Sequence, residues 1–311
     1  MHIRLVGSSE WRFSRIVPRV ALASATAAMV LSLGAPAVFA QAATQANPDS
    51  FQRSFPMNAG GTLVVENRKG TIHVTGSDSN QVVVSVRKIF EGGSEKERQT
   101  WLAGTKVNFG DAPDHVSVRV EYPDWNCFFC VSVSDEVDLT IAVPHATNVE
   151  LEGTRPDMAV SSINGDIRIS SNRSAIAIKS TEGAIRIETN RGEVRLSDVA
   201  IKGRLELTSN RADAVIEAKS MAGNADLETE RGSITVRMPS TVGVNLDYVG
   251  GRRSSFHCDF PVTTNQNGAE LNDVSGRVGR YGARINGALN QGGPRMTLRT
   301  TRGSISLEKA S

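Results

Sequence analysis

The chain is 311 residues long with a formal charge of +2, enough to bury a real core in one large or two small domains. Removing residues 1–40, which hold Arg4, Arg12, Arg15, Arg19 and Glu10, takes that charge to −1, so the basic pI of about 8.5 belongs to the leader. The remainder is near neutral, which excludes the electrostatic footprint of a nucleic-acid binder.

The leader has the order of a secretory signal. Four arginines precede residue 20, an apolar run follows from Val20 to Leu33, and Gly34, Pro36, Val38 and Ala40 make a small-residue end. This predicts a signal peptide over 1–40, cleaved after Ala40, and export to a periplasm or the cell surface. The run is short and interrupted for a spanning helix, so no transmembrane segment is expected after cleavage. Residues 41–57 are rich in Ala, Gln, Asn and Ser and read as a spacer.

From residue 58 one grammar takes over. Gly70 is followed by Ile72 and Val74, and Gln81–Ile89 alternates with Val82, Val84 and Val86 on one face, the period of a half-buried strand. Ser94-Glu95-Lys96-Glu97 is a capping box. It predicts one short helix from Ser94 to about Ala103, ended by Gly104 and docked through Trp101 and Leu102. Val116–Tyr122 and Val131–Val143 read as strands, with an aromatic loop between them that carries Cys127, Phe128, Phe129 and Cys130.

Between Ser161 and Pro239 the chain repeats. A small anchor residue (Gly165, Ser174, Gly183, Gly192, Gly203, Ala212, Gly223, Gly232) is followed at +2 and +4 by aliphatic residues, as in Ile167/Ile169 and Val194/Leu196. Position +3, as in Arg168, Arg186, Arg195 and Glu206, faces the other way. The corners Asn172-Arg173, Asn190-Arg191, Asn210-Arg211 and Glu230-Arg231 recur at intervals of 18, 20 and 20 residues, so two strands make one coil. A single coil cannot bury its own stripe, and stacking predicts an all-β fold, a β-solenoid or β-helix-like roll of 18–20 residue coils. An antiparallel sandwich of hairpins is the alternative, but it does not require the same corner at every second strand. Val242–Val249 reads as another strand, residues 254–293 as irregular, and Gly303 with Ile305 and Leu307 repeats the anchor rule, so 58–311 is one domain.

Chemistry is sparse. No Gly-x-Ser-x-Gly or phosphate loop occurs, and His73, His115, His145 and His257 stand apart without metal-ligand spacing. No catalytic residue, metal or cofactor is expected. Cys127-x-x-Cys130 lacks the second pair of a zinc site. In an oxidising compartment Cys127, Cys130 and Cys258 read as disulfide candidates, with the pairing open. The feature left over is the arginine at each corner: Arg173, Arg191, Arg211 and Arg231, with Lys69 and Arg302 at matching positions in the outer coils. Stacked coils put these in a row, suited to bidentate contact with the phosphates or carboxylates of an anionic envelope glycan or lipid. The opposing expectation is that Glu182, Glu188 and Glu230 neutralise the row and the asparagines hydrogen-bond up the stack. Arg252, Arg253, Arg277, Arg280, Arg284, Arg295 and Arg299 add a positive bias to the C-terminal region.

The segments Leu63-Val-Val-Glu-Asn-Arg-Lys-Gly70, Asn164-Gly-Asp-Ile-Arg-Ile169, Gly232-Ser-Ile-Thr-Val-Arg-Met-Pro239 and Gly292-Gly-Pro-Arg-Met-Thr-Leu-Arg-Thr-Thr-Arg-Gly303-Ser-Ile-Ser-Leu307 together resemble the bacterial domain-of-unknown-function family of putative adhesins, the YvlB-like proteins. The resemblance spans nearly the whole chain after the leader. It implies a β-helical, envelope-associated, non-enzymatic protein and brings no catalytic residues. The expectation is thus an exported binding scaffold for an envelope ligand or another envelope protein. The alternatives are a polysaccharide-active β-helix enzyme, which would need converging carboxylates, and a self-assembling envelope subunit.

Overall fold

Every aliphatic residue at +2 and +4 of the central anchors, from Ile167 to Val236, is at most 2% exposed. The alternation therefore does what it predicts, and the reason lies in how successive coils pair. The computed structural model describes residues 49–124, 133–264, 270–271, 276–277 and 283–310. The leader at 1–40 and the Cys127–Cys130 loop lie outside the described residues.

In chain order the elements are β1 (Ser50–Pro56), β2 (Thr62–Ser77), β3 (Gln81–Glu91), α1 (Glu95–Gly104), β4 (Lys106–Ala112), β5 (His115–Glu121), β6 (Ser134–Pro144), β7 (Asn148–Ser161), β8 (Ile167–Lys179) and β9 (Glu182–Met221). They continue as β10 (Ala225–Thr229), β11 (Ser233–Met238), β12 (Val244–Gly250), β13 (Ser255–Cys258), β14 (Val262–Thr264), β15 (Glu270–Leu271), β16 (Gly276–Arg277), β17 (Ala283–Leu289), β18 (Arg295–Thr300) and β19 (Ser304–Lys309). The long strands β2, β7, β8 and β9 turn corners without losing their ladder. Each supplies a first and a second half-coil, and parallel pairing runs β2 to β7 to β8 to β9 in register, Val149 on Ile167 and Ile167 on Ile185. The fold is the expected all-β solenoid, with one helix among the described residues.

The anchors explain themselves at the corners. A Cβ on Gly192 would lie 1.9 Å from the Ser174 carbonyl oxygen, and one on Gly223 would lie 1.5 Å from that of Gly203. Glycine stands there because the backbone of one coil touches the next, over and above any demand of the turn.

The order of coils in the stack is not the order in the chain. β2 lies between the coil of β5 and β6 on one side and β7 on the other. At the far end β18 and β19 lie between β10 and β11 on one side and β12 and β13 on the other, all parallel. The first and last repeat units, expected as outer coils, are thus each one coil in from an end. Both ends close with antiparallel strands: β3 and β4 at one end, with β1 outside β3, and β16, β17 and β14 at the other. Antiparallel covers interrupt the parallel stacking that an open solenoid end would invite.

Two expectations on local structure are corrected. The spacer over 41–57 contains β1, because Phe51 and Phe55 share a face and close on Phe109 at 6.2 and 5.4 Å. Residues 254–293, read as irregular, hold the short strands β13 to β17, several of which pair with strands outside the segment, β13 with β19 and β17 with β12. The helix is as expected: Ser94 caps it with a complete capping box, and Trp101 is buried against Phe90 and Tyr122.

Candidate binding surface

A corner residue inherits the register of its coil, so the arginines align. Arg173 pairs with Arg191 across β8 and β9, and Lys69 pairs with Arg155 across β2 and β7. Arg155 precedes Arg173 by the 18-residue offset that sets Gly153 on Ser171 and Met158 on Ile176. Arg211 follows Arg191 at the 20-residue step that sets Glu206 beside Arg186. The Arg231 amide then donates to Asn210 O at 2.9 Å and the Arg302 amide to Glu230 O at 2.8 Å. The column is Lys69, Arg155, Arg173, Arg191, Arg211, Arg231 and Arg302. At about 4.8 Å per ladder step it runs roughly 29 Å.

All six arginines are exposed. Arg155, Arg173, Arg191, Arg211 and Arg302 make no ion pair among the described residues. Arg231 Nε lies 3.3 Å from Glu230, and Lys69 Nζ 2.5 Å from Asp135 at the column's first step. Glu182 and Glu188, expected to neutralise the row, face other cations: Glu182 pairs with Lys202, and Glu188 with Arg186 at 2.7 Å. The asparagine rung is present, Asn190 Nδ2 donating to Asn172 Oδ1 at 3.0 Å.

Arg155 was not among the sequence candidates. It sits in Thr154-Arg155-Pro156, with neither the asparagine before nor the small anchor after, and its only signal is the offset to Arg173.

The carboxylates that an enzyme would need are dispersed. Glu193 pairs with Arg195, Asp198 with Lys219, Glu217 with Arg237, and Glu206 with both Arg186 and Arg204. Asp166 accepts the Ala184 amide at 3.0 Å and acts as a backbone clasp between coils. Among the described residues no three His, Cys, Asp or Glu side chains group as a metal site would. His145 Nδ1 lies 2.7 Å from the Ser162 carbonyl oxygen, and His257 Nε2 lies 2.9 Å from Asp259.

Cys258 is a free thiol, 2% exposed, facing inward on β13 and 3.5 Å from Phe260 O. Burial pushes its pKa up to about 11. Of the three disulfide candidates it is therefore unpaired here, while Cys127 and Cys130 lie outside the described residues. In the C-terminal region Arg284 and Arg295 converge on the buried Asp247, at 3.6 and 2.7 Å. Part of the positive bias there is structural. No helix among the described residues is long and apolar enough to cross a membrane.

Residues 57–280 match the family model described as Toastrack DUF4097. No curated protein matches the chain at a significant level. Among solved structures, one described as a putative cell adhesion protein from Clostridium sporogenes is 11% identical, with 84% of this chain and 99% of that chain covered and a TM-score of 0.35. A putative adhesin from Parabacteroides merdae is 7% identical over 84% of this chain and 97% of that one, with a TM-score of 0.29. A putative lipid binding protein from Parabacteroides distasonis is 12% identical over 85% and 98%, with a TM-score of 0.25.

Proposed function

The chain belongs to the Toastrack DUF4097 family, and from that premise we propose that it is an exported, non-enzymatic binding module whose corner column holds a linear polyanion of the cell envelope. The observation that carries the reading is the run Arg155, Arg173, Arg191 and Arg211, four successive exposed guanidiniums without a counter-charge. Like charges held a ladder step apart repel one another. Stacking forces them together, and a polymer with regularly spaced phosphates or carboxylates would relieve the repulsion by bidentate hydrogen bonds. The signal-like leader, with the mature chain starting at Gln41, supports an envelope ligand. The ion-paired state of the surface carboxylates favours binding over glycan cleavage. The antiparallel caps at both ends of the stack disfavour end-to-end assembly.

The test is a binding screen of residues 41–311 against bacterial envelope glycans and anionic vesicles at low and high salt. The expected result is a saturable, salt-weakened hit that Arg191→Glu with Arg211→Glu abolishes. A hit that survives the double reversal would overturn the assignment of the column. No hit at either salt would overturn the polyanion itself.

A further inference from the structure

On the outward face of the first half-coils lies an open cleft of about 570 Å³ lined by Arg204, Asn224, Asp226, Arg295, Thr297 and Arg299. Its walls come from three adjacent coils. Asp226 is level with Glu206 in β9 and with Thr297 in β18. The third wall exists only because the C-terminal coil is inserted at this place in the stack, which brings Arg295, Thr297 and Arg299 up to Arg204, Asn224 and Asp226, far from them in sequence.

The polar groups are set for an anion. Arg204 gives Nε and Nη2 to Asp226 Oδ2 at 3.0 and 2.7 Å, and its Nε lies 2.8 Å from Glu206. This fixes the guanidinium while leaving the Nη1 protons free. Arg295 is held from behind by Nη2 on Asp247, 2.7 Å away, and keeps its other donors. Asn224 Oδ1 accepts the Arg295 amide at 2.9 Å, so its NH₂ group remains to donate. Arg299 is exposed and makes no ion pair among the described residues. The one carboxylate in the lining, Asp226, is neutralised by Arg204 and keeps lone pairs for a further donor. Burial opposes its ionisation, but the hydrogen bonds from Arg204 and Thr297 together with the positive charges of Arg204 and Arg299 hold Asp226 below the usual carboxylate range.

We infer that this cleft is a second binding site, for an acidic monosaccharide unit whose carboxylate is held by Arg204, Arg295 and Arg299 and whose hydroxyls meet Asn224 and Asp226. Guanidiniums with unused N–H groups grip a carboxylate through paired charge-assisted bonds. The neutral amide and the carboxylate beside them supply one donor and one acceptor for sugar hydroxyls. The volume lies in the range of small-molecule sites, about 300–1,000 Å³, and leaves room beyond a bare oxyanion. The site uses none of the column's side chains and stands or falls separately from it.

The experiment is titration of the mature chain with D-glucuronate, D-glucose and inorganic phosphate, followed by calorimetry and ligand-observed NMR. Saturable binding of glucuronate is expected, with glucose and phosphate each weaker, and a loss of about tenfold or more in Arg299→Gln, the scale of one charge-assisted hydrogen bond. The Arg191→Glu, Arg211→Glu protein is expected to bind glucuronate as the wild type does. Arg204→Gln, on the opposite wall, gives the same readout if Arg299→Gln does not fold. No saturable glucuronate binding, or unchanged binding in both wall variants, would overturn the site. Phosphate bound as tightly as glucuronate would overturn the sugar class.

Discussion

Gly192 answers to the coil beneath it. Its φ is +130°, and an added Cβ would sit 1.9 Å from Ser174 O, so both the backbone and the neighbouring chain reject a side chain. Gly192→Ala is therefore expected to destabilise the fold by about 2 kcal/mol or more, read as a lower midpoint in urea. A neutral result would mean that the coils can part at the corner. The same residue scale shows what was legible in the sequence. The +2/+4 aliphatics were, because strand period and burial are one fact there. Arg155 was not, since Pro156 replaces the small anchor that marks the other corners. The reason for the glycines was only half visible: a turn can be guessed from one segment, whereas contact with the preceding coil needs the register.

Among the elements, strands with a clear run of alternating aliphatic residues were readable, as in β3, β8 and β9, and those without one were not. β8 and β9 repeat each other, so each predicts the other's place. β13 to β17 are two to seven residues long, and they pair with strands that pattern alone does not single out. α1 was readable because a capping box is local chemistry. The C-terminal coil, β18 and β19, has the clearest consequence. It is the parallel neighbour of both β12 and β13, and it supplies Arg295 to the buried Asp247. A chain ending at Pro294 is expected to lose amide protection across Val244–Gly250 while Ile167–Lys179 keeps its own, as measured by hydrogen exchange. Undiminished protection over Val244–Gly250 would show that the cap is held by β17 alone.

At the scale of the molecule, repetition converts one residue per coil into a line of charge. The sequence shows the arginines but cannot show how many stand in the line. Chain order puts Lys69 and Arg302 in the outermost repeats, whereas the stack puts a further coil beyond each, β5 and β6 outside β2, and β12 and β13 outside β18 and β19. Nor could sequence reveal that Glu182 and Glu188 turn toward Lys202 and Arg186, which is a matter of which face each strand presents. Binding along such a line is expected to depend on ligand length and on salt, because each guanidinium engaged displaces counterions from the polymer.

The most direct test is the affinity of residues 41–311 for a size-fractionated series of linear polyuronate oligomers, measured across a range of salt concentrations. Affinity is predicted to climb with oligomer length until the ligand spans roughly 29 Å of the column. The dependence of log K on log salt is predicted to flatten when Arg173, Arg191 and Arg211 are replaced by Gln, by about one unit of slope per residue removed. Affinity independent of length, with a salt slope unchanged in the triple variant, would contradict the account.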